Sequence, residues 1–482
     1  MIAWTIYVTF GAAIITLLAP RAFARWIALL ATGAGFAITI ASFVRTPVSD
    51  LGRFTTVVRV AWVPALGINY HLALDGVSLT LVLVTGVVAI SSVLFSWEVD
   101  LRPNEFFFWL LLVVGASYGV FLSADLFLFL VFYELVIVPK YFLIAIWGST
   151  NKEYGAMKLT LYSFFGGMLV FLGVIAAYAI SGSFDLNQLG QFRFEQSVQY
   201  WAFPVMFFGF AILAGVWPLH TWAPTGHVAA PTAGSMLLAG IVMKLGAYGG
   251  LRVAMNIFPQ GFQIWRPVIA VLAVIGIVYA AAVALSQRDL KFVIGYSSVS
   301  HMGFVLLGLA TAGAIGVSGA VLQMFSHGVI GALLFAVAGT MIYRRTHTRD
   351  LDKLSAMHLS RGLPFAAFTF VLASAASMGI PGFSGFAAEI TILIGAWKSY
   401  PVAVWITGAG MLLVAAFTLR ALKRTFFDSL ADTPGQSFEP ITWPEKIGAA
   451  LLLFATLAAG IYPKFLLDRI VPAVESMPFL TK

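Results

Sequence analysis

Long apolar runs, separated by short polar and basic breaks, set the pattern of this chain. A helix rises 1.5 Å per residue, so about 20 apolar residues cross the roughly 30 Å of hydrocarbon in a bilayer. On that measure the sequence predicts fourteen spans: 4–20, 26–44, 77–97, 107–124, 125–147, 159–181, 202–218, 230–255, 267–286, 291–311, 314–343, 364–398, 403–424 and 446–468. The runs 314–343 and 364–398 are too long for simple spans, and a break is expected in the second. The polar-flanked stretch 45–76 is expected to hold a short hairpin or an interfacial helix. The first run lacks an early basic region and a small-residue cleavage site, so it reads as a retained helix.

Two spans are interrupted by glycine and proline. One break is Gly215-Val216-Trp217-Pro218, running on to Pro224, in the seventh span; the other is Gly379-Ile380-Pro381-Gly382-Phe383-Ser384-Gly385, in the twelfth. Broken helices at corresponding positions are a pointer to a repeat-built transporter. The five-helix spacing predicts two repeats, residues 107–255 (helices 4–8) and 256–425 (helices 9–13), between an N-terminal set at 1–106 and a C-terminal helix and tail at 426–482. Five is odd, so the repeats are expected to be inverted. The plainer alternative is that glycine and proline are common in membrane helices.

Composition narrows the class. Of 482 residues, 60% are apolar and 10% charged, against about 25% charged in a soluble domain. That excludes a soluble enzyme, a disordered regulator and a fibrous rod, and predicts an all-α polytopic membrane protein. The chain has no cysteine, which removes disulfides, cysteine-ligated iron–sulfur clusters and thiolate zinc sites. Its net charge of +8 sits between apolar runs and so reads as topology. Lys and Arg are more frequent on the face opposite the termini. The richest loop there, Tyr343–Pro364, carries Arg344, Arg345, Arg349, Lys353 and Arg361. That face is expected to be cytoplasmic, with both termini outside.

A charge at the centre of a span costs about 2.5–3.5 kcal/mol on insertion scales, so charges there are paired, hydrated or part of an ion path. The candidates are Asp125, Glu134, Lys140, Lys158, Lys244, Lys291, His301, His327 and Glu389. Glu134 lies deep in LFLFLVFYELVIVPKYFLIAIW, as one end of a proton path or of a structural ion pair. Lys244 sits among glycines near mid-span, where snorkelling to an interface is hard. His301 and His327 lie on consecutive spans beside serines, and two such residues suit a relay better than packing. Lys291 stands at the edge of a span, so anchoring is an equal reading. His220 and His227 flank the first break, where a loop or capping role is an equal reading. Alternating acid, lysine and histidine give hop-sized steps for a proton.

Several segments resemble a known family. They are FYELVIVPKYFLIAIWG, PLHTWAPTGHVAAPTAGSMLLAGIVMKLGAYGGLR, SSVSHMGFVLLG, QMFSHGVIGALLF, HTRDL and GIPGFSGFAAE. Together, over roughly residues 70–425, they are similar to the antiporter-like membrane subunits of complex I, the proton-translocating NADH–quinone oxidoreductase, and most of all to its M type. The resemblance implies fourteen helices, two inverted repeats and broken seventh and twelfth helices. It implies a proton path through Glu134, Lys244, His301, His327 and Glu389, with Lys291 on the same axis. It also implies no cofactor in this chain, with flavin, iron–sulfur clusters and quinone in partner subunits. The expected partners are L-, N- and K-type membrane subunits and the lipid bilayer of a bacterial inner or equivalent energy-coupling membrane. Nucleic acid is not expected.

One departure stands out. The family pattern places a lysine seven residues before the PLH motif, where this chain has Leu213, and Glu134 thereby loses its usual cation. Lys140 stands where the relatives carry an apolar residue. It lies about 240° round the helix from Glu134, with Pro139 able to bend the geometry. Lys140, or another subunit, is expected to replace the missing charge. Two further readings stay open. One is the related subunit of a cation–proton antiporter, a membrane hydrogenase or an inorganic-carbon uptake complex. The other is a structural spacer with a decayed channel.

Overall fold

The computed structural model describes residues 1–428 and 438–481. The chain is a bundle of apolar helices, twelve of them long and apolar enough to cross a membrane. In order these elements are α1 (Trp4–Leu18), α2 (Arg21–Arg45), α3 (Gly76–Leu94), α4 (Pro103–Leu122), α5 (Leu126–Trp147) and α6 (Lys152–Ser181). The seventh predicted span divides into α7a (Gln196–Ala214) and α7b (Trp222–Ala229). Then come α8 (Thr232–Ile257), α9 (Pro259–Ser286), α10 (Leu290–Ala310) and α11 (Ala314–Thr346). The twelfth divides into α12a (Pro364–Ser377) and α12b (Ser384–Trp397). The last are α13 (Pro401–Phe427), α14 (Trp443–Ile461) and the short amphipathic α15 (Lys464–Glu475).

Each predicted span has its helix, with shifted ends. The run 446–468 stops at Ile461, because a new helix opens at Lys464 after Pro463. One short hairpin accompanies the helices. The stretch 45–76 realises the hairpin alternative, β1 (Thr55–Val63) paired antiparallel with β2 (Ile68–Leu74). Its β-branched strand residues favour that pairing. Polar ties hold it to the bundle: Asp185 contacts Arg59 at 3.3 Å and His71 at 3.4 Å.

Both breaks end their first half in the same way. Gly215 and Gly379 have φ of +75° and +68°, a left-handed conformation open to glycine at little cost. At the first break the N–H groups of Gly215 and Val216 donate to Ile212 and Ala211; at the second those of Gly379 and Ile380 donate to Ala376 and Ala375. This double bond to the preceding turn satisfies carbonyls that the helix end leaves open.

The connections between helices also repeat. Asp125, Asp185, Asp289 and Asp350 each cap a helix through the side chain. The leucines that follow exchange backbone bonds in pairs. Leu126 donates to Phe184 and Leu186 to Ala124; Leu290 donates to Arg349 and Leu351 to Arg288.

The centre belongs to α8 and α11, which are buried along their whole apolar windows, whereas α2 and α13 leave most of theirs open. At one point they meet glycine on glycine. A Cβ on Gly328 would stand 2.8 Å from the carbonyl oxygen of Gly240, and one on Gly240 3.2 Å from that of Gly328. Small residues let membrane helices pack this closely, and here they bring Lys244 of α8 beside His327 of α11. Both helices contain π segments, Leu238–Val242 and Val337–Tyr343, a local widening often found at functional sites.

Candidate functional site

The buried ionisable side chains form a line across the interior. Lys244, with none of its surface exposed, donates to the carbonyl of Ala239 and lies 2.8 Å from Nδ1 of His327. The rings of His327 and His301 are 5.5 Å apart between centroids. His301 Nδ1 lies 3.3 Å from Oε1 of Glu389, and its Nε2 lies 3.1 Å from the hydroxyl of Ser377. The side-chain amide of Gln323 lies 3.4 Å from the same Nδ1. Glu389 follows the break in the twelfth helix, and Gly379 is the seat of its carboxylate: a Cβ there would stand 2.7 Å from Oε2.

Glu134 has a similar seat on α6. Its Oε1 is buried without a hydrogen-bond partner among the described residues. Gly167 packs directly on it, and any Cβ there would overlap the carboxylate. Leu213 is buried on α7a as an apolar core residue. Lys140 is buried as well, and its Nζ has no hydrogen-bond partner among the described residues. It does not form a close ion pair with Glu134, although each charge lies within electrostatic reach of the other. The regular helix is interrupted between them at Val136, where Pro139 supplies no N–H to the carbonyl of Leu135. Lys140 instead faces α8, lining with Gly234, Leu237 and Leu238 a void of about 10 Å³, the threshold for a single water.

The remaining candidates divide. Asp125 is buried and caps a helix, accepting the N–H groups of Phe127, Leu128 and Asn69. Lys158 donates to Thr225 Oγ1 at 3.3 Å, part-buried. Lys291 is buried and donates to the Ala230 carbonyl at 2.9 Å, with Ser235 Oγ at 3.5 Å. His220 is buried beside the rings of Tyr279 and Tyr296. His227 is wholly buried rather than placed in a loop. Ser377 and Gln323 escaped the sequence reading, since a serine or glutamine in a membrane helix carries no mark of its partner.

A lysine, two histidines and a carboxylate thus follow one another along this line, the first and last contacts at 2.8 and 3.3 Å and the two rings 5.5 Å apart between centroids. Among the described residues no group of three or more His, Cys, Asp or Glu is placed to hold a metal ion.

Comparison with known proteins gives a consistent neighbourhood. Residues 123–415 match the family described as NADH:quinone oxidoreductase/Mrp antiporter, TM. The chain is 38% identical over 449 residues to NAD(P)H-quinone oxidoreductase chain 4 1 of Synechococcus elongatus, covering 91% of this chain and 84% of that one. It is 34% identical over 458 residues to NADH-quinone oxidoreductase subunit M of Rickettsia prowazekii, covering 94% and 92%. Among solved structures it superposes on a chain of respiratory complex I from Thermus thermophilus with TM-score 0.91, 25% identity and full coverage of both chains. A chain of the Mrp complex from a Dietzia species shares the fold, with TM-score 0.86 and 21% identity over 100% of this chain and 98% of that one.

Proposed function

This chain belongs to the membrane-subunit family shared by NADH:quinone oxidoreductases and Mrp antiporters, and we propose that it is the M-type proton-conducting subunit of such an oxidoreductase. It conducts protons along Lys244, His327, His301 and Glu389, driven by quinone reduction in partner subunits that hold the flavin, the iron–sulfur clusters and the quinone. The observation that carries this reading is the buried run of contacts at 2.8, 5.5 and 3.3 Å linking four ionisable side chains on four helices. The catalytic redox step belongs to other chains, and this one contributes the charge movement. Moving one proton against 100 mV takes about 2.3 kcal/mol, within reach of modest field changes acting on buried charges.

The two five-helix repeats are part of the same proposal. Support comes from the matching glycine ends of both broken helices and from the two leucine–carbonyl exchanges, 124–126 with 184–186 and 288–290 with 349–351. Counting helices puts the first exchange on the face of the termini and the second on the other, as inversion requires. The arginine-rich face is the cytoplasmic one and both termini lie outside. In the first repeat Lys140 is the cation that answers Glu134, across the Val136 irregularity, with Leu213 contributing packing alone.

The test begins with the native assembly purified in mild detergent. Flavin and iron–sulfur subunits should co-migrate with L-, N- and K-type chains. In vesicles, Lys244→Met and Glu389→Gln should each assemble but pump fewer protons per electron. Co-purification with antiporter or hydrogenase subunits alone would overturn the redox assignment, and full pumping by both variants would leave a scaffold.

A further inference from the structure

We infer that a cavity on the face of the termini binds a phosphate group that also offers a hydroxyl: free inorganic phosphate, or the phosphoglycerol headgroup of a lipid in the leaflet on that side. The cavity measures about 460 Å³, room for on the order of fifteen waters. Four segments distant in sequence wall it: the entry to β1, the short helix Leu186–Gln191, the last turns of α8 and the residues that follow α15. Each is a helix end or connection on the same face, at the depth where the apolar spans give way to headgroups.

The charge of the wall selects an anion. None of the described residues lining it is acidic, and two are arginines, Arg53 and Arg252. Arg252 is buried and ion-paired with Asp75, with its guanidinium 4.4 Å over the ring of Phe54. That cation is balanced and held in one plane. Arg53 is exposed at the rim and forms no ion pair among the described residues. It leaves one uncompensated positive charge, on a planar fork suited to phosphate oxygens. The exposed side chains of Asn187, Gln191 and Ser476 add amide and hydroxyl groups around it.

A second group sets what else the ligand carries. Asn256 lines the cavity and is 7% exposed. Its Nδ2 donates to the carbonyl of Arg252 at 3.1 Å. A carbonyl only accepts, so this bond fixes which way the amide points. Oδ1 is then left as a buried acceptor, and it has no donor among the described residues. Buried polar groups are nearly always paired, so the site calls for a donor as well as a negative charge. An ionised carboxylate only accepts, and water brings no charge for Arg53. A phosphate with a P–OH, or one esterified to glycerol, brings both. Held there, it ties the hairpin and the C-terminal segment to the end of α8, the helix that carries Lys244.

The test uses the whole complex in nanodiscs of phosphatidylcholine. This chain has no cysteine, so Ser476→Cys gives it a single thiol at the rim. Neutral N-ethylmaleimide then reports whether the rim is open, read on this chain by mass spectrometry. Inorganic phosphate replacing chloride at equal ionic strength, or phosphatidylglycerol replacing part of the phosphatidylcholine, should slow labelling about tenfold when roughly nine-tenths of the sites are filled. Slowing by phosphate alone identifies the free anion, and slowing by the lipid alone identifies the headgroup; either supports the site. Ser49→Cys, exposed on the same face, should label at an unchanged rate, and Arg53→Gln combined with Ser476→Cys should abolish the slowing. With no thiol introduced, the parent complex should melt at a higher temperature in the effective ligand, and Arg53→Gln should not. Labelling and melting indifferent to both ligands, slowing that survives Arg53→Gln, or equal slowing at Ser49→Cys would each overturn the site.

Discussion

Alanine at Gly379 should cost the complex its proton pumping, while alanine at Gly215 should not. Both glycines end the first half of a broken helix at φ near +70°, so both substitutions carry the same backbone penalty of about 1–2 kcal/mol. Their surroundings differ. A Cβ at Gly215 stands 2.6 Å from the terminal methyl of Met243, whereas one at Gly379 stands 2.7 Å from Oε2 of Glu389. Ordinary contact begins near 3.4 Å, so the Met243 methyl must retreat by about 0.8 Å and the Glu389 oxygen by about 0.7 Å. For a methionine methyl that is a rotamer adjustment. For Glu389 it draws on the 3.3 Å contact with His301. If the lost contact is worth about 1.4 kcal/mol, that is a factor of about ten in the proton-transfer equilibrium it supports. The assay is proton uptake per electron in vesicles, with assembly followed by native gel. Gly379→Ala should reduce pumping about tenfold or more while Gly215→Ala stays within about twofold of the parent. Equal effects from the two alanines would refute the carboxylate seat.

Four further outcomes follow from the same geometry. Lys140→Met should lower pumping severalfold with assembly intact, whereas unchanged pumping would remove Lys140 as the cation answering Glu134. Gly328→Ala pushes on the Gly240 carbonyl from 2.8 Å; it should cost about 1–3 kcal/mol of packing, read as a lower melting temperature, and weaken pumping by parting Lys244 from His327. Ser377→Ala removes the 3.1 Å partner of His301 and should slow pumping by about fivefold, for a neutral hydrogen bond of roughly 1 kcal/mol. Arg252→Met leaves Asp75 buried without its ion-pair partner, a loss of about 3–5 kcal/mol, so little assembled complex should be recovered.

The bundle was legible because membrane insertion is read by length and apolarity, and those are properties of the linear chain. Gly215 and Gly379 marked the breaks for a similar local reason: a left-handed end needs glycine. The central residues Glu134, Lys244, His301, His327 and Glu389 announced themselves as charges where charge is costly. Other roles were not legible because spatial neighbours decide them. That Asp125 caps α5 and accepts from Asn69 of β2 depends on a strand 56 residues away in sequence. His227 read equally as a loop or capping residue beside the break, and only the packing of α7b against α11 sets its ring on Phe335. The 240° between Glu134 and Lys140 holds for a regular helix, whereas α5 is interrupted at Val136.

The central claim is that protons pass through the carboxylate of Glu389 during turnover. Redox-triggered infrared difference spectroscopy of the intact complex observes that event at the bond that changes. The account predicts a carboxyl C=O band that appears or disappears on turnover and is missing in Glu389→Gln, with pumping lost in parallel. An identical difference spectrum and undiminished pumping in Glu389→Gln would contradict it.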